Sequence, residues 1–239
     1  MATTQTSKVI QHLRRAVLVQ DGAGLTDGQL LGDFIERQDE AAFAALVKRH
    51  GPMVWGVCRR LLNHEDAEDA FQAAFLVLVR KAASIMPREM VANWLYGVAH
   101  QTALHSRRTA ARRTAREKQM VKMPEAATTE QDLWNDLQPL LDQELSRLPD
   151  KYRVVIVLCD LEGKTRKEAA EQLGCPEGTV AGWLARGREM LAKRLAKRGV
   201  VLSSGTLVAM LSHNAVSACV PPAVMAATIG PPHEWWTRS

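Results

Sequence analysis

From residue 41 onward, apolar positions recur at spacings of three and four, the signature of helices that bury one stripe. Ala41, Phe43, Ala44, Leu46 and Val47 mark a first amphipathic helix. His50-Gly51-Pro52 predicts a break or kink behind it, because proline lacks the amide donor and its ring clashes with the preceding turn. A second helix is expected over about 53–62. The third is the clearest: Ala67, Ala70, Phe71, Ala74, Phe75, Leu78 and Val79 repeat with helical spacing, while Asp66, Glu68, Asp69 and Gln72 fall largely off the stripe. Met86-Pro87 separates it from a fourth helix over about 89–118, whose apolar side begins with Trp94, Leu95, Val98, Thr102 and Leu104 and whose distal half turns into SRRTAARRTAREK.

Residues 119–135 read as a linker, and helical spacing resumes near Asp136. Leu145, Leu148, Val154, Val155 and Leu158 then span two helices joined around Pro149. Thr165-Arg166-Lys167-Glu168 fits a capping box, in which hydroxyl and carboxylate satisfy each other's orphan amides. Ala169, Ala170 and Leu173 give the short helix an apolar side. Gly174 permits a tight turn, Pro176 suits a first helical position, and Val180, Leu184, Met190, Leu191 and Leu195 supply the next stripe, with Gly187 admitting a close approach. No β-hairpin signal interrupts this series. The fold class is therefore all-α: two small helical domains with a flexible linker and a helical C-terminal extension. Its divisions are 1–24 (N-terminal extension), 25–118, 119–135 (acidic linker), 136–198 and 199–239.

Composition adds little by itself. The 239 residues are 46% hydrophobic and 24% charged, which excludes disorder and collagen-like classes, and the net charge is only +5. The distribution changes the picture. Residues 100–122 hold seven Lys/Arg against one acid, 124–150 seven acids against one Arg, and 151–198 eleven bases against six acids. The modest total is thus a cancellation between a basic helix, an acidic linker and a basic C-terminal unit. The four cysteines, at 58, 159, 175 and 219, have no CxxC spacing, which argues against a zinc site and a disulfide framework. No apolar run reaches the length of a membrane span, so membrane association is not expected, and the expected location is the cytoplasm. There is no GxGxxG, P-loop, HExxH or GxSxG, so neither enzyme chemistry, cofactor nor small-molecule substrate is expected.

A helix, a short turn and a longer helix make a device that fits the DNA major groove, with the N-terminal residues of the second helix near base edges. Arg186, Arg188, Lys193 and Arg194 are candidates for phosphate attraction. A plain helical hairpin with a solvated charged face would show the same pattern.

Four stretches together carry a resemblance: DEAAFAALVKRHGPMVWGVCRRLL, DAEDAFQAAFLVLVRKAASI, NWLYGVAHQTALHSRR and LSRLPDKYRVVIVLCDLEGKTRKEAAEQLGCPEGTVAGWLARGREMLAKRL. The chain resembles sigma-70-family RNA polymerase sigma factors of the extracytoplasmic-function group, over about residues 25–196. Within that group it is most similar to long-tailed members associated with planctomycete-like bacteria. The resemblance implies a sigma2-like domain (25–118) and a sigma4-like helix-turn-helix domain (136–198) that bind core RNA polymerase and direct it to promoters. Sigma4 would read the upstream duplex element, and sigma2 would recognise and melt the proximal one.

Carried over residue by residue, the resemblance places polymerase docking on Asp66, Glu68, Asp69, Phe71 and Gln72. The strand-capture loop corresponds to about 84–89, with Ser84 and Arg88. The following helix supplies Asn93, His100, Gln101, His105, Arg107 and Arg108 to DNA, while Trp94 reads as core. In sigma4, Thr165, Arg166 and Lys167 fall near the DNA backbone, and Glu177, Thr179, Trp183, Arg186 and Arg188 lie on the groove helix. The family often has Arg-Ser-Arg where this chain has Ala181, Gly182 and Trp183, which removes two direct polar readers. Arg188 also has a local use, neutralising Glu189 or preceding acids.

Residues 199–232 hold no Lys, Arg, Asp or Glu, and their apolar spacing predicts an extra helix folded on the sigma4-like unit. Release from an anti-sigma protein or from a fused regulatory extension is common in this group, so an anti-sigma protein is a candidate partner. The alternative function is a stand-alone helix-turn-helix regulator, which would not need the patterns at 66–72 and 84–108.

Overall fold

The computed structural model describes residues 24–117, 130–200, 205–207, 210–211 and 219–230, with the side chains of 113–117 and 130–136 excepted. The calls on 1–23, on linker residues 118–129 and on most of the extension lie outside these residues. Helices α1 (Asp27–Arg37), α2 (Glu40–Leu61), α3 (His64–Lys81) and α4 (Val91–Glu117) form the first unit. Helix α5 (Glu130–Ser146) leads to the second: α6 (Asp150–Ile156), a π-helical turn (Val157–Leu161), α7 (Arg166–Leu173) and α8 (Glu177–Lys197). A short α9 (Pro222–Ile229) follows. No strand occurs among the described residues.

The starts of the helices are written in polar side chains. The Thr26 hydroxyl accepts from the Gln29 amide while the Gln29 side chain accepts from the Thr26 amide, a reciprocal cap for α1. Asp39 and Asn63 cap α2 and α3 through their side-chain oxygens. Such caps each contribute about 0.5–2 kcal/mol.

One expected boundary is absent. Pro52 lies inside a continuous 22-residue α2, so the break predicted at 50–52 does not form. Interior proline costs a helix about 3 kcal/mol. Here Leu46 and Val47 before it and Val54 and Trp55 after it are all buried against the other helices, and packing outweighs the local penalty.

The first unit buries Leu30, Leu31, Phe34, Phe43, Phe71, Phe75, Leu78, Leu95 and Tyr96. Aromatic rings link its helices: Phe34 and Phe43 lie 5.2 Å apart, Phe43 and Phe75 6.4 Å, and Trp55 and Phe71 5.9 Å. Each such pair adds about 0.5–1.5 kcal/mol beyond burial. In the second unit Val154, Ile156, Leu158, Ala169, Val180, Leu184, Leu191 and Leu195 close around the helix-turn-helix. A Cβ on Gly187 would stand 3.1 Å from Ile156 Cδ1 and 3.3 Å from the Tyr152 carbonyl, so glycine lets α8 lie close on α6.

The two units share one continuous core, with α5 packing on α2, α4 and α8. The C-terminal helix corrects a second expectation. Helix α9 packs mainly on α2 and α3 of the first unit rather than on the sigma4-like unit, while most of 201–218, the other part of that expectation, lies outside the described residues. Met225 and Val220 reach Gly51 beside Phe71, and the missing side chain at Gly51 makes room for them.

Candidate nucleic-acid interface

Helix α3 opens with acids. The Asn63 side chain accepts from the Asp66 amide at 2.8 Å and donates to the Asp66 carboxylate at 3.0 Å, so Asp66 is part of its own helix cap. Asp69 is exposed, and Glu68 is partly exposed, 3.5 Å from His64 Nε2. Gln72 is half-buried, and Phe71 is fully buried between Trp55 and Phe75. The acids therefore form a surface, and Phe71 supports it from the core. Asp66 also lines a surface groove with His105, Ser106, Thr109 and Ala110 of α4.

The loop between α3 and α4 exposes Met86 by 76%. Ser84 is exposed, and its hydroxyl donates to the Lys81 carbonyl at 2.7 Å. Arg88, in the 3-10 turn Arg88–Met90, donates to Glu36 at 2.9 Å and so ties the loop to α1. Along α4, Gln101, His105, Arg107 and Arg108 are exposed, whereas Asn93 and His100 are buried. The Asn93 carbonyl accepts from Arg153 Nε of the second unit at 2.9 Å. His100 stacks near Tyr96, and burial holds its pKa below the ordinary histidine value, which favours the neutral ring. Trp94 is partly buried against the core.

The helix-turn-helix matches its sequence pattern closely. The Thr165 amide donates to the Glu168 carboxylate at 2.7 Å, and the Glu168 amide donates to the Thr165 hydroxyl at 3.2 Å. The Thr165 amide and hydroxyl, both donating to the Glu168 carboxylate, hold its pKa below the ordinary value. Gly174 ends α7 at φ 63°, the left-handed conformation in which glycine has no Cβ penalty. Pro176 stands one position before its expected place, as the cap of α8 rather than its first residue.

Val180, Leu184, Gly187, Leu191 and Leu195 face the core, which turns Glu177, Gly178, Gly182, Ala185, Arg186 and Glu189 to solvent. Thr179 and Trp183 are half-buried at the edges of that face. Arg166 and Lys167 are exposed, with Arg166 3.9 Å from Glu177. Arg188 is engaged elsewhere. It makes two bonds, at 3.1 and 2.5 Å, to the buried Asp160 carboxylate, and that pairing raises its pKa. The acid is thus one of those preceding Arg188, not Glu189.

Two polar clusters escaped the sequence reading. Arg60 donates to both Asp142 oxygens, at 2.6 and 2.9 Å, and the Tyr96 hydroxyl donates to the same carboxylate at 3.2 Å. Burial opposes the Arg60 charge, and Asp142 more than restores it. In the second cluster Asp27 receives Arg49, Lys164 and Gln172, and His50 sits between Asp27 and Glu162. The only sequence signal for either was a polar residue, His50 or Arg60, on the buried face of α2.

Two stretches match family models: residues 46–113 match Sigma-70 region 2, and 139–191 match Sigma-70, region 4. The chain is also 30% identical over 182 residues to the ECF RNA polymerase sigma-E factor of Haemophilus influenzae, an overlap of 72% of this chain and 96% of that protein. The chain belongs to the extracytoplasmic-function sigma factors of the sigma-70 family. A further relative is the ECF RNA polymerase sigma factor SigW of Bacillus subtilis, 30% identical over 67% of this chain and 92% of the other. Among solved structures, CnrH in complex with the cytosolic domain of CnrY aligns at 21% identity and TM-score 0.35, covering 77% of this chain and 97% of that one.

This sigma factor directs promoter-specific transcription initiation, with core RNA polymerase and promoter DNA as the partners its family implies. The region 4 match begins at residue 139, inside α5, so the helix that opens the second unit is also the one anchored in the first by Asp142. Among the described residues no helix is long and apolar enough to cross a membrane, and no acid, histidine and cysteine cluster could hold a metal ion.

Proposed function

We propose a division of labour for this sigma factor. The acidic start of α3 (Asp66, Glu68, Asp69, Gln72, with Phe71 behind them) docks on core polymerase. The 84–89 loop and the exposed side of α4 meet the proximal promoter element and help open it. The helix-turn-helix reads the upstream duplex, with Arg166, Lys167 and Thr165 on the backbone and Glu177, Thr179, Trp183 and Arg186 toward the groove. Polymerase makes the bonds, the sigma factor supplies address and strand opening without catalysis of its own, and the work is done in the cytoplasm.

The observation that carries this reading is the placement of charge. Asp69 stands exposed at the start of α3, Arg107 and Arg108 on the outer part of α4, and Arg166, Lys167 and Arg186 on the helix-turn-helix. An exposed acid on α3 and exposed bases on other helices, with α3 and α4 meeting where Asp66 and His105 line one groove, suit one protein partner and one polyanion. Ala181 and Gly182 add no polar reader to α8, so upstream affinity comes mainly from the phosphates and depends steeply on salt.

The test is reconstitution. The chain added to core polymerase and a promoter library should produce defined start sites that core alone does not. Asp69→Lys should weaken polymerase association about tenfold or more, since like charges then face each other across the contact. Asp69 is preferable to Asp66 because it is not part of the α3 cap. Unchanged affinity in a folded Asp69→Lys protein rejects the docking surface, and duplex binding without initiation favours a stand-alone regulator.

A further inference from the structure

The contact between the two units contains a buried charge network on the side of α1 and α7. His50 Nδ1 lies 2.5 Å from Glu162 Oε1, and His50 Nε2 lies 3.5 Å from Asp27 Oδ1. Arg49 NH1 donates to Asp27 at 2.6 Å, Lys164 Nζ stands 3.4 Å from both Asp27 and Glu162, and Gln172 Nε2 donates to Asp27 at 2.8 Å. The side chains of Asp27, His50 and Glu162 are almost wholly buried. Asp27, Arg49 and His50 belong to the first unit; Glu162, Lys164 and Gln172 belong to the second.

The network ends on the strand-capture side. Gln172 Nε2 also donates to the Glu89 carbonyl, at 3.0 Å, in the turn that closes the 84–90 loop. Nearby, Arg153 of the second unit covers Asn93 of α4. Helices α7 and α6 of the second unit thus hold a backbone group of the strand-capture loop, at Glu89, and the buried side chain of Asn93, a residue that the sigma-factor resemblance assigns to DNA.

We propose that the His50–Asp27–Glu162–Lys164–Gln172 network is a latch that holds the two units closed and keeps the Glu89 backbone and Asn93 engaged until a partner separates them, while Ser84, Met86 and the outer face of α4 stay exposed. The inference rests on the reading of 84–108 as the strand-facing element. The chemistry suits a latch. Buried charges that pair across a contact recover hydration when it opens, so pairing and desolvation nearly balance. A purely apolar contact gains nothing from water on opening. A network of this kind fixes a register while leaving the closed form within reach of a partner's binding energy.

The charge on His50 belongs to the closed form. Burial lowers its pKa, but the carboxylates of Glu162 and Asp27 more than reverse this and raise it to about 9. The groups facing His50 are Asp27 from α1, Arg49 beside it on α2, and Glu162 and Lys164 from the segment leading into α7.

The test uses the full chain without polymerase. Glu162→Gln, Lys164→Met and Gln172→Ala, singly and combined, remove the second unit's half of the latch and leave the first unit's core intact. Small-angle X-ray scattering should show a larger radius of gyration for the combined variant, with the wild-type helical content. A fluorescein-labelled single-stranded DNA oligonucleotide of mixed sequence should bind it about fivefold or more tightly than wild type. An unchanged radius in the folded combined variant overturns the latch. A larger radius with unchanged oligonucleotide binding supports the latch and overturns the strand-facing reading. Should the variants misfold, wild-type scattering from pH 7 to pH 10 decides: the latch predicts expansion as His50 loses its proton, and constant dimensions overturn it.

Discussion

Removing one partner of the Arg60–Asp142 pair is the sharpest test of how the two halves of this sigma factor are joined. The side chains are only 4% and 1% exposed, and the guanidinium meets the carboxylate through two bonds of 2.6 and 2.9 Å. At an effective dielectric constant near 20, unit charges about 4 Å apart attract by about 4 kcal/mol. Asp142→Leu removes that attraction and one of the two acceptors of the Tyr96 hydroxyl, leaving it the Asp142 backbone carbonyl, and leaves a guanidinium buried without its counter-charge. Deletion of one member of a buried pair typically costs about 3–5 kcal/mol. For a chain of this size that corresponds to a fall in melting temperature of about 6–20 °C. The double variant Arg60→Met with Asp142→Leu removes the buried charge altogether and should recover most of the loss. Thermal denaturation of the four proteins closes a double-mutant cycle. If Asp142→Leu costs less than about 1 kcal/mol, the pair is effectively solvated and α5 is not anchored in the first unit as described.

Other expectations follow from single side chains. Arg186→Ala should weaken upstream-element binding by the holoenzyme and lower the log–log salt slope by about 0.9, as expected for one lost phosphate contact, whereas Arg188→Ala should mainly destabilise the second unit by stranding buried Asp160; anisotropy titrations at several salt concentrations, with melting curves, separate the two. Gly182→Ala should stabilise the protein by about 0.5–1 kcal/mol in thermal melts, because the position is interior to α8 and an added Cβ meets nothing within 4 Å. His50 titrates at about 9 when folded against 6.5 unperturbed, so its contribution is fully present below pH 6.5 and is lost as pH rises through 9. The stability difference between wild type and His50→Gln, followed by denaturant melts across that range, should therefore shrink at the alkaline end; a difference independent of pH contradicts a charged His50.

What was legible in the chain was whatever depends on neighbours three or four positions apart. The stripe from Ala67 to Leu78, the Thr165–Glu168 capping box, the turn at Gly174 and the close approach at Gly187 all appear where their local chemistry puts them. Pro52 and α9 differ because their outcome is set by tertiary packing. Proline's penalty is local, but the burial of Val54 and Trp55 that overrides it involves helices far along the chain. The apolar spacing of the C-terminal segment predicted burial but pointed to the sigma4-like unit, whereas for α9 Gly51 of the first unit supplied the place. The same distinction governs the candidate site. Arg186 and Asp69 could be read as surface charges from their position off an apolar stripe. Arg188 could not be assigned, because Asp160 lies 28 positions away, in the π-helical turn after α6, and reaches it only once that turn and α8 are packed. His50 and Glu162 are 112 positions apart, and Arg60 and Asp142 are 82 apart. A histidine and an arginine on the buried face of α2 break its hydrophobic pattern, and each requires a buried counter-charge. That is the one trace these clusters leave in the sequence: it announces an acid without identifying it. Both acids come from the C-terminal half of the chain, so the polar residues that look misplaced in the first unit are the ones that bind the second.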